Sequence, residues 1–258
     1  MKLDLKKNKL REINNTLQNL DNKKNDRDFV IINPEVGGWI DPEQVKMIIQ
    51  QSGLDDWDLY ENVPDEHDIR EKLFRLMDEN RENDEALIIP VDQYFNVKGV
   101  GLVAIGYVQS GLVSKHDSIQ VLPVGESGIV RSLQVMDDDV DVAISGDRVG
   151  LAIRNLREEA LHRGCMVTHV DSEALVKNTS STFQIKKAPF QKRELEVGDV
   201  IHAAVDMQFI VGRITNKEST NLTVEWEIPL WTRLIDSPPI IITQLDATPM
   251  RIIGTTVF

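Results

Sequence analysis

From Ala86 onward the chain is cut by glycines and other turn residues into short β-branched segments, and that rhythm limits the fold more than anything else in it. Leu87–Val91, Gly101–Ile105, Ile119–Leu122, Gly128–Gln134, Arg148–Ile153 and Cys165–His169 follow one another, with turn signals roughly every 8–12 residues. Segments this short cannot carry a helical stripe. They bury an apolar face by pairing into a sandwich or a closed barrel. The same texture returns in Thr182–Ile185, Val200–Val205, Phe209–Thr215, Asn221–Ile228, Ile240–Thr243 and Met250–Val257. The expectation is a mainly β protein with two tandem β-barrels, over 86–172 and 173–258.

Residues 1–85 read differently. Leu3, Leu10, Ile13, Leu17 and Leu20 recur at helical spacing, and the polar stretch Asp21 to Asp28 looks like a loop. Phe29-Val30-Ile31-Ile32 is a continuous apolar run stopped by Asn33-Pro34, the pattern of a buried parallel strand. Asp41-Pro42 supplies an N-cap and a first-turn proline for a helix that Gly53 would end. Asp56 to Tyr60 suggests a second strand, and His67 to Glu79 another helix. This alternation is an α/β layer with too few strands for a doubly wound domain, so a partial α/β domain is expected before the barrels.

Charge narrows the partners. The formal net charge is −13, and residues 1–90 hold 13 Lys+Arg against 21 Asp+Glu, a net of −8. Such a field disfavours non-specific nucleic-acid binding and points to a protein partner for the acidic first third. A single cysteine, Cys165, excludes an internal disulfide and fits a reducing, cytoplasmic setting. The N-terminal lysines have no apolar core behind them, so no signal peptide is expected. No run approaches the roughly 20 apolar residues of a membrane helix.

Two clusters resemble metal sites. His162, Cys165 and His169 have ligand-like spacing, but strand alternation makes Cys165 a core thiol. Asp137-Asp138-Asp139 with Asp141 lacks the glycine and closing glutamate of a calcium loop and reads as a solvated hairpin tip. No metal and no cofactor are expected.

A longer pattern runs through the first β region. It comprises Pro90-Val91-Asp92-Gln93-Tyr94-Phe95-Asn96-Val97-Lys98-Gly99-Val100-Gly101-Leu102-Val103, then Gly106, Gly111-Leu112-Val113 and Asp117. It continues in Val130-Arg131-Ser132-Leu133-Gln134, Gly146-Asp147-Arg148-Val149-Gly150-Leu151 and Arg163-Gly164-Cys165-Met166-Val167. In this order and spacing the segment resembles domain two of the translational GTPases, namely elongation factor Tu, elongation factor 1-alpha and the selenocysteine-specific elongation factor. Val97-Lys98-Gly99-Val100-Gly101 and Arg148 look most like the selenocysteine branch. The last 75 or so residues are similar in layout to domain three.

The resemblance implies that the aminoacyl end of a tRNA sits against the first barrel. The matching positions are Asp92, Phe95 and Arg148, where Arg148 replaces the Asn of elongation factor Tu and Gln93 replaces its second acid. Stacking and charge from Phe95 and Arg148 would hold the end. The competing expectation makes Phe95 barrel core and Arg148 a surface ion-pair partner. In related factors domain three helps hold the acceptor stem, so Lys186, Lys187, Lys192 and Arg193, clustered around Pro189 and Phe190, are candidate RNA contacts; otherwise they form a solvated strand edge.

GTPase chemistry is not written into these 258 residues. No G-x-x-x-x-G-K-[ST] occurs, so nothing cradles nucleotide phosphates. Asp147-Arg148-Val149-Gly150, the sole D-x-x-G, falls inside the barrel pattern. Asn33-Pro34-Glu35-Val36 keeps the Asn of the guanine-reading motif and lacks its Lys and Asp. The expected function is therefore an elongation-factor-like protein binding the tRNA acceptor end or a ribosome-associated partner without intrinsic GTPase chemistry. The alternatives are a protein-interaction scaffold, or a GTP-binding factor completed by another chain.

Overall fold

The computed structural model describes residues 29–33, 40–51, 57–69, 85–189, 191–235, 237–248 and 251–257. The helix expected over 3–20, the loop at 21–28, Gly53, Phe190 and nearly all of the helix expected over 67–79 lie outside them.

In the N-terminal part, β1 (Phe29–Ile31) pairs in parallel with β2 (Asp58–Tyr60) across α1 (Pro42–Gln51). Asp41 caps the helix as its sequence suggests, its Oδ1 accepting the Glu43 amide at 3.1 Å. Val30, Ile32, Val45, Ile49 and Trp57 form a small core between helix and strands, and α1 also lies against the last strand of the chain, β18 (Ile252–Thr256).

The first β region contains β3 (Ile89–Val97), β4 (Gly101–Tyr107), β5 (Leu112–Ser114), β6 (Ser118–Leu122), β7 (Glu126–Val135), β8 (Asp138–Val140), β9 (Val142–Ile144), β10 (Arg148–Arg154) and β11 (Met166–His169). The order β10-β4-β3-β11-β6-β7 closes on itself through the β7–β10 pairing. Closure removes both sheet edges and points alternate side chains inward. Val91, Ala104, Ile119, Val121, Val130, Leu133, Val149, Leu151 and Val167 fill the interior. The glycines of the sequence pattern serve this geometry at the β3–β4 turn, where Gly99 and Gly101 adopt φ of 86° and 101°. The acidic tip is the hairpin expected: Met136 and Asp137 both have positive φ between β7 and β8.

The second β region contains β12 (Leu175–Gln184), β13 (Lys186–Lys187), β14 (Val200–Val205), β15 (Gln208–Glu218), β16 (Asn221–Arg233), β17 (Ile240–Thr243) and β18. They order as β12-β16-β15-β14-β17-β18-β13. The sheet curls around Ile201, Ala203, Ile210, Val224, Leu230, Ile240 and Ile242, with the Phe183 and Trp226 rings stacked 6.3 Å apart. It has the strand content and curvature of the expected second barrel, but β12 and β13 stay as edges among the described residues, making it a half-barrel.

A tight seam joins the two sheets. Ile88, Leu122 and Met166 of the first meet Leu175 and Trp231 of the second. Gly164 brings its backbone so close to Met207 that a Cβ there would lie 2.7 Å from the Met207 carbonyl oxygen. Beside it, the fully buried carboxylate of Asp206 accepts hydrogen bonds from the buried Arg233 guanidinium. Gln208 ties the same corner, donating to the Trp231 carbonyl at 2.7 Å and accepting from the Trp231 amide at 3.0 Å.

Candidate nucleic-acid interface

Strand alternation decides which side chains the closed barrel shows to solvent. On β4, Leu102, Ala104 and Gly106 are buried inward, so Val103, Ile105 and Tyr107 face out. On β10, Val149, Leu151 and Ile153 enter the core, leaving Arg148, Gly150 and Ala152 on the same outer face. The ladder places Phe95 beside Val103 and Val103 beside Ala152, then Gln93, Ile105 and Gly150 in a row, then Tyr107 beside Arg148. Gly150 carries no side chain, so the strip between the Phe95 and Arg148 rows is bare on β10 and carries Gln93 and Ile105 on β3 and β4. Those rows lie four residues apart along the strands, or about 13 Å.

Both ends of the strip are available. Phe95 is 42% exposed, so it is not core. Arg148 is exposed and makes no ion pair among the described residues. The structure thus departs from the competing expectation at both positions. Its physical reason at Phe95 is that β3 beyond Val91 has no β11 partner, since β11 pairs only with Ile89 and Pro90, leaving Tyr94, Phe95 and Asn96 exposed while Val91 stays buried.

Asp92 is drawn elsewhere. It occupies an irregularity where the β3–β4 register shifts between Val91 and Gln93, and its carboxylate lies 3.3 Å from Arg163. It therefore holds Arg163 rather than joining Phe95 and Arg148. Arg163 is a basic residue of the turn before β11 that sequence spacing did not single out, because the pair forms between residues 71 positions apart.

The second cluster is half neutralised. Lys187 pairs with Glu194 at 2.5 Å, holding that carboxyl below its ordinary value. Arg193 lies 3.5 Å from Asp246 and 3.8 Å from Asp199. Lys186 and Lys192 are exposed and have no acidic partner among the described residues. The four cations named from sequence are close in the chain, but only two keep an uncompensated charge.

The remaining clusters resolve structurally. Cys165 is fully buried, and desolvation pushes its thiol up to about 11. His169 lies 3.2 Å from Asp117, and His162 faces its neighbour's carbonyl. Among the described residues no three His, Cys, Asp or Glu side chains gather as a metal site, and no helix is long and apolar enough to cross a membrane.

The barrel that carries this strip has known counterparts. Residues 101–168 match the family model for elongation factor Tu domain 2. A selenocysteine-specific elongation factor of Methanocaldococcus jannaschii is 28% identical over 209 residues, covering 72% of this chain and 45% of its own. The chain belongs to the translational GTPase superfamily. An uncharacterized protein of the same organism is 32% identical over 195 residues, covering 75% of this chain and 61% of its own. The apo crystal structure of translation elongation factor SelB from Methanococcus maripaludis shares the fold, with a TM-score of 0.71 at 22% identity over 95% of this chain and 59% of that one. This superfamily member thus spans between 45% and 61% of the length of those two curated relatives.

Proposed function

We propose that this chain is an elongation-factor-like module, working in the cytoplasm, that holds the aminoacylated 3′ end of a tRNA or a ribosome-associated partner. Its three parts, 1–85, 86–172 and 173–258, act on this reading as a GTPase-domain remnant and two binding units without GTP hydrolysis of their own. The observation that carries the proposal is Arg148: an exposed, unpaired guanidinium beside bare Gly150 on the barrel's outer face, with the Phe95 ring at the strip's other end. A base stacks on the ring and an anionic or electron-rich aminoacyl group meets the cation. The selenocysteine-specific factor among the relatives supports a tRNA ligand of that class.

The test is anisotropy with aminoacylated and deacylated tRNA across a salt series starting near 50 mM, where screening is weak. Wild-type protein should prefer the charged tRNA, and Arg148→Ala should remove that preference. Changing Lys186, Lys187, Lys192 and Arg193 to Ala should flatten the log–log salt slope by less than two contacts' worth, at about 0.9 per phosphate, since two of the four are already paired. Absence of salt-sensitive tRNA binding would overturn the reading. A fluorescent GTP analogue should not bind more tightly than roughly millimolar; micromolar binding would instead point to a factor completed by another chain.

One second reading has an observation behind it. The acids that neutralise Lys187 and Arg193, together with the net charge of −13, favour a protein-interaction scaffold whose partner meets the acidic first third. Co-purification of a basic protein in place of tRNA would favour it.

A further inference from the structure

A cleft of about 550 Å³ opens at the end of the closed barrel, between the β3–β4 hairpin tip and the turn that follows β10. That volume is within the roughly 300–1,000 Å³ range of small-molecule sites. Its apolar floor is made by Leu102 and Ile153, both largely buried. Its polar wall holds Arg131, Arg154 and Asn155.

Arg131 owes its place to a defect in the ladder. The β7–β10 register shifts between Ala152 and Ile153, so Ser132 and Val130 keep partners while Arg131 has none and its side chain swings to the barrel end. There its Nη1 donates to the Val100 carbonyl at 2.8 Å and the Gly99 carbonyl at 3.4 Å. Two neutral carbonyls orient the guanidinium without cancelling its charge, and the Nε and Nη2 edge stays free for a two-point contact. Arg154 is exposed and pairs with no acid among the described residues. Asn155, at φ 62°, turns the chain back across the mouth and brings its amide into the wall.

The neighbouring charges are already assigned. Arg157 is taken up by Glu126, through the Arg157 amide at 2.7 Å, Nε at 2.9 Å and Nη2 at 2.8 Å, which pins the turn to β7. Glu158, the one acid in the lining, receives the Asn96 amide at 3.3 Å. Two uncompensated cations against one carboxylate, in a chain of net charge −13, make this a locally anion-selective spot.

We propose that the cleft binds the phosphate of a small phosphomonoester of nucleoside-monophosphate size. The Arg131 fork and Arg154 take the phosphate, Asn155 hydrogen-bonds it, and the organic part lies on Leu102 and Ile153. The site adjoins the Phe95 end of the outer-face strip, since Arg154 lies two residues along β10 from Ala152 of the Phe95 row, but it is far from Arg148, six residues or about 20 Å away.

Isothermal titration of the full chain at low salt, with inorganic phosphate, adenosine 5′-monophosphate and a short single-stranded RNA, tests this. Adenosine monophosphate should bind at least about tenfold more tightly than inorganic phosphate, because only the former covers the apolar floor. Arg154→Gln should weaken it about tenfold; among the described residues this side chain makes no hydrogen bond or ion pair, so the variant should keep the wild-type denaturation midpoint. Arg131→Lys, which keeps the charge and removes the fork, should weaken the mononucleotide more than inorganic phosphate's charge alone explains. Saturable mononucleotide binding that Arg154→Gln diminishes and Arg148→Ala leaves intact supports the site. No saturable binding of either small phosphate, binding indifferent to Arg154→Gln, or binding of the RNA alone overturns it.

Discussion

The two β regions start from the same texture of short β-branched segments and reach stability by different means. The first closes: β7 meets β10, no edge remains in the ring, and its core is aliphatic from Val91 to Val167. The second curls without closing, and leaves β12 as a long edge carrying Lys177, Asn178, Thr179 and Ser180. Polar residues there discourage edge-to-edge pairing. Its missing strand contact is offset by the seam against the first barrel, where Asp206 and Arg233 are buried together. The difference teaches that a closed barrel frees its outer face for ligands, whereas an open sheet must spend surface on being held. Both regions mix free and paired cations: on the closed barrel Arg148, Arg131 and Arg154 make no ion pair among the described residues while Arg157 and Arg163 do, and on the open sheet Lys187 and Arg193 are paired while Lys186 and Lys192 are not.

The most damaging way to probe this contrast is to break the buried ion pair on the second sheet's side of the seam. Arg233→Met or Asp206→Asn leaves an uncompensated buried group and should cost about 3–5 kcal/mol. Breaking the exposed Asp92–Arg163 pair with Asp92→Asn should cost under about 1 kcal/mol. Urea denaturation monitored by tryptophan fluorescence compares them, and equal losses would abolish the distinction between a required seam and a dispensable surface pair.

Within the closed barrel, stability should depend on packing. Leu133→Ala empties a fully buried position and should cost about 2–5 kcal/mol. The same denaturation series measures it; a loss below 1 kcal/mol would mean the closed core is not what holds this half.

A backbone test follows. Gly164→Ala asks a residue at φ 85° to carry a Cβ facing the Met207 carbonyl, and should cost roughly 1–3 kcal/mol. Gly198→Ala, also at positive φ but with open space around it, should cost less. The gap between the two measures how tightly the sheets are joined.

The smallest effect concerns pH and the half-barrel's outer face. His202 stacks on Phe209 at 4.9 Å, faces Thr243 and Val211 across its ladders, and lies within the field of Glu227. Burial lowers its pKa from the ordinary value, more than Glu227 raises it. The unfolded chain therefore takes the proton more readily, so this group's contribution is highest above the ordinary histidine pKa of about 6.5 and falls as pH drops through that range. His202→Phe should lessen the decline in the denaturation midpoint between about pH 7.5 and 5.5. An unchanged pH profile in the variant would remove His202 from the account.

Parts of this were legible in the chain itself. Asp41-Pro42 announced α1, and the run at Phe29 announced a parallel strand. Alternation in β10 fixed that Arg148 and Gly150 share a face opposite Val149 and Leu151. These are local properties, set by the chain's period of two and by what each backbone tolerates.

Closure of one sheet and not the other was a different matter, because the β7–β10 contact depends on curvature accumulated over the whole ring. Sequence spacing gave no hint that Asp92 would turn to Arg163, that a register shift would send Arg131 to the barrel mouth, or that Asp206 would meet Arg233 in the seam. Each of these joins residues distant in the chain, and their meeting depends on register and packing that no local stretch encodes. The amino-acid sequence by itself determined the strands, their faces and the absence of a phosphate loop in these residues. Tertiary structure alone decided which charges remain free, since a cation's availability is a property of its three-dimensional neighbours.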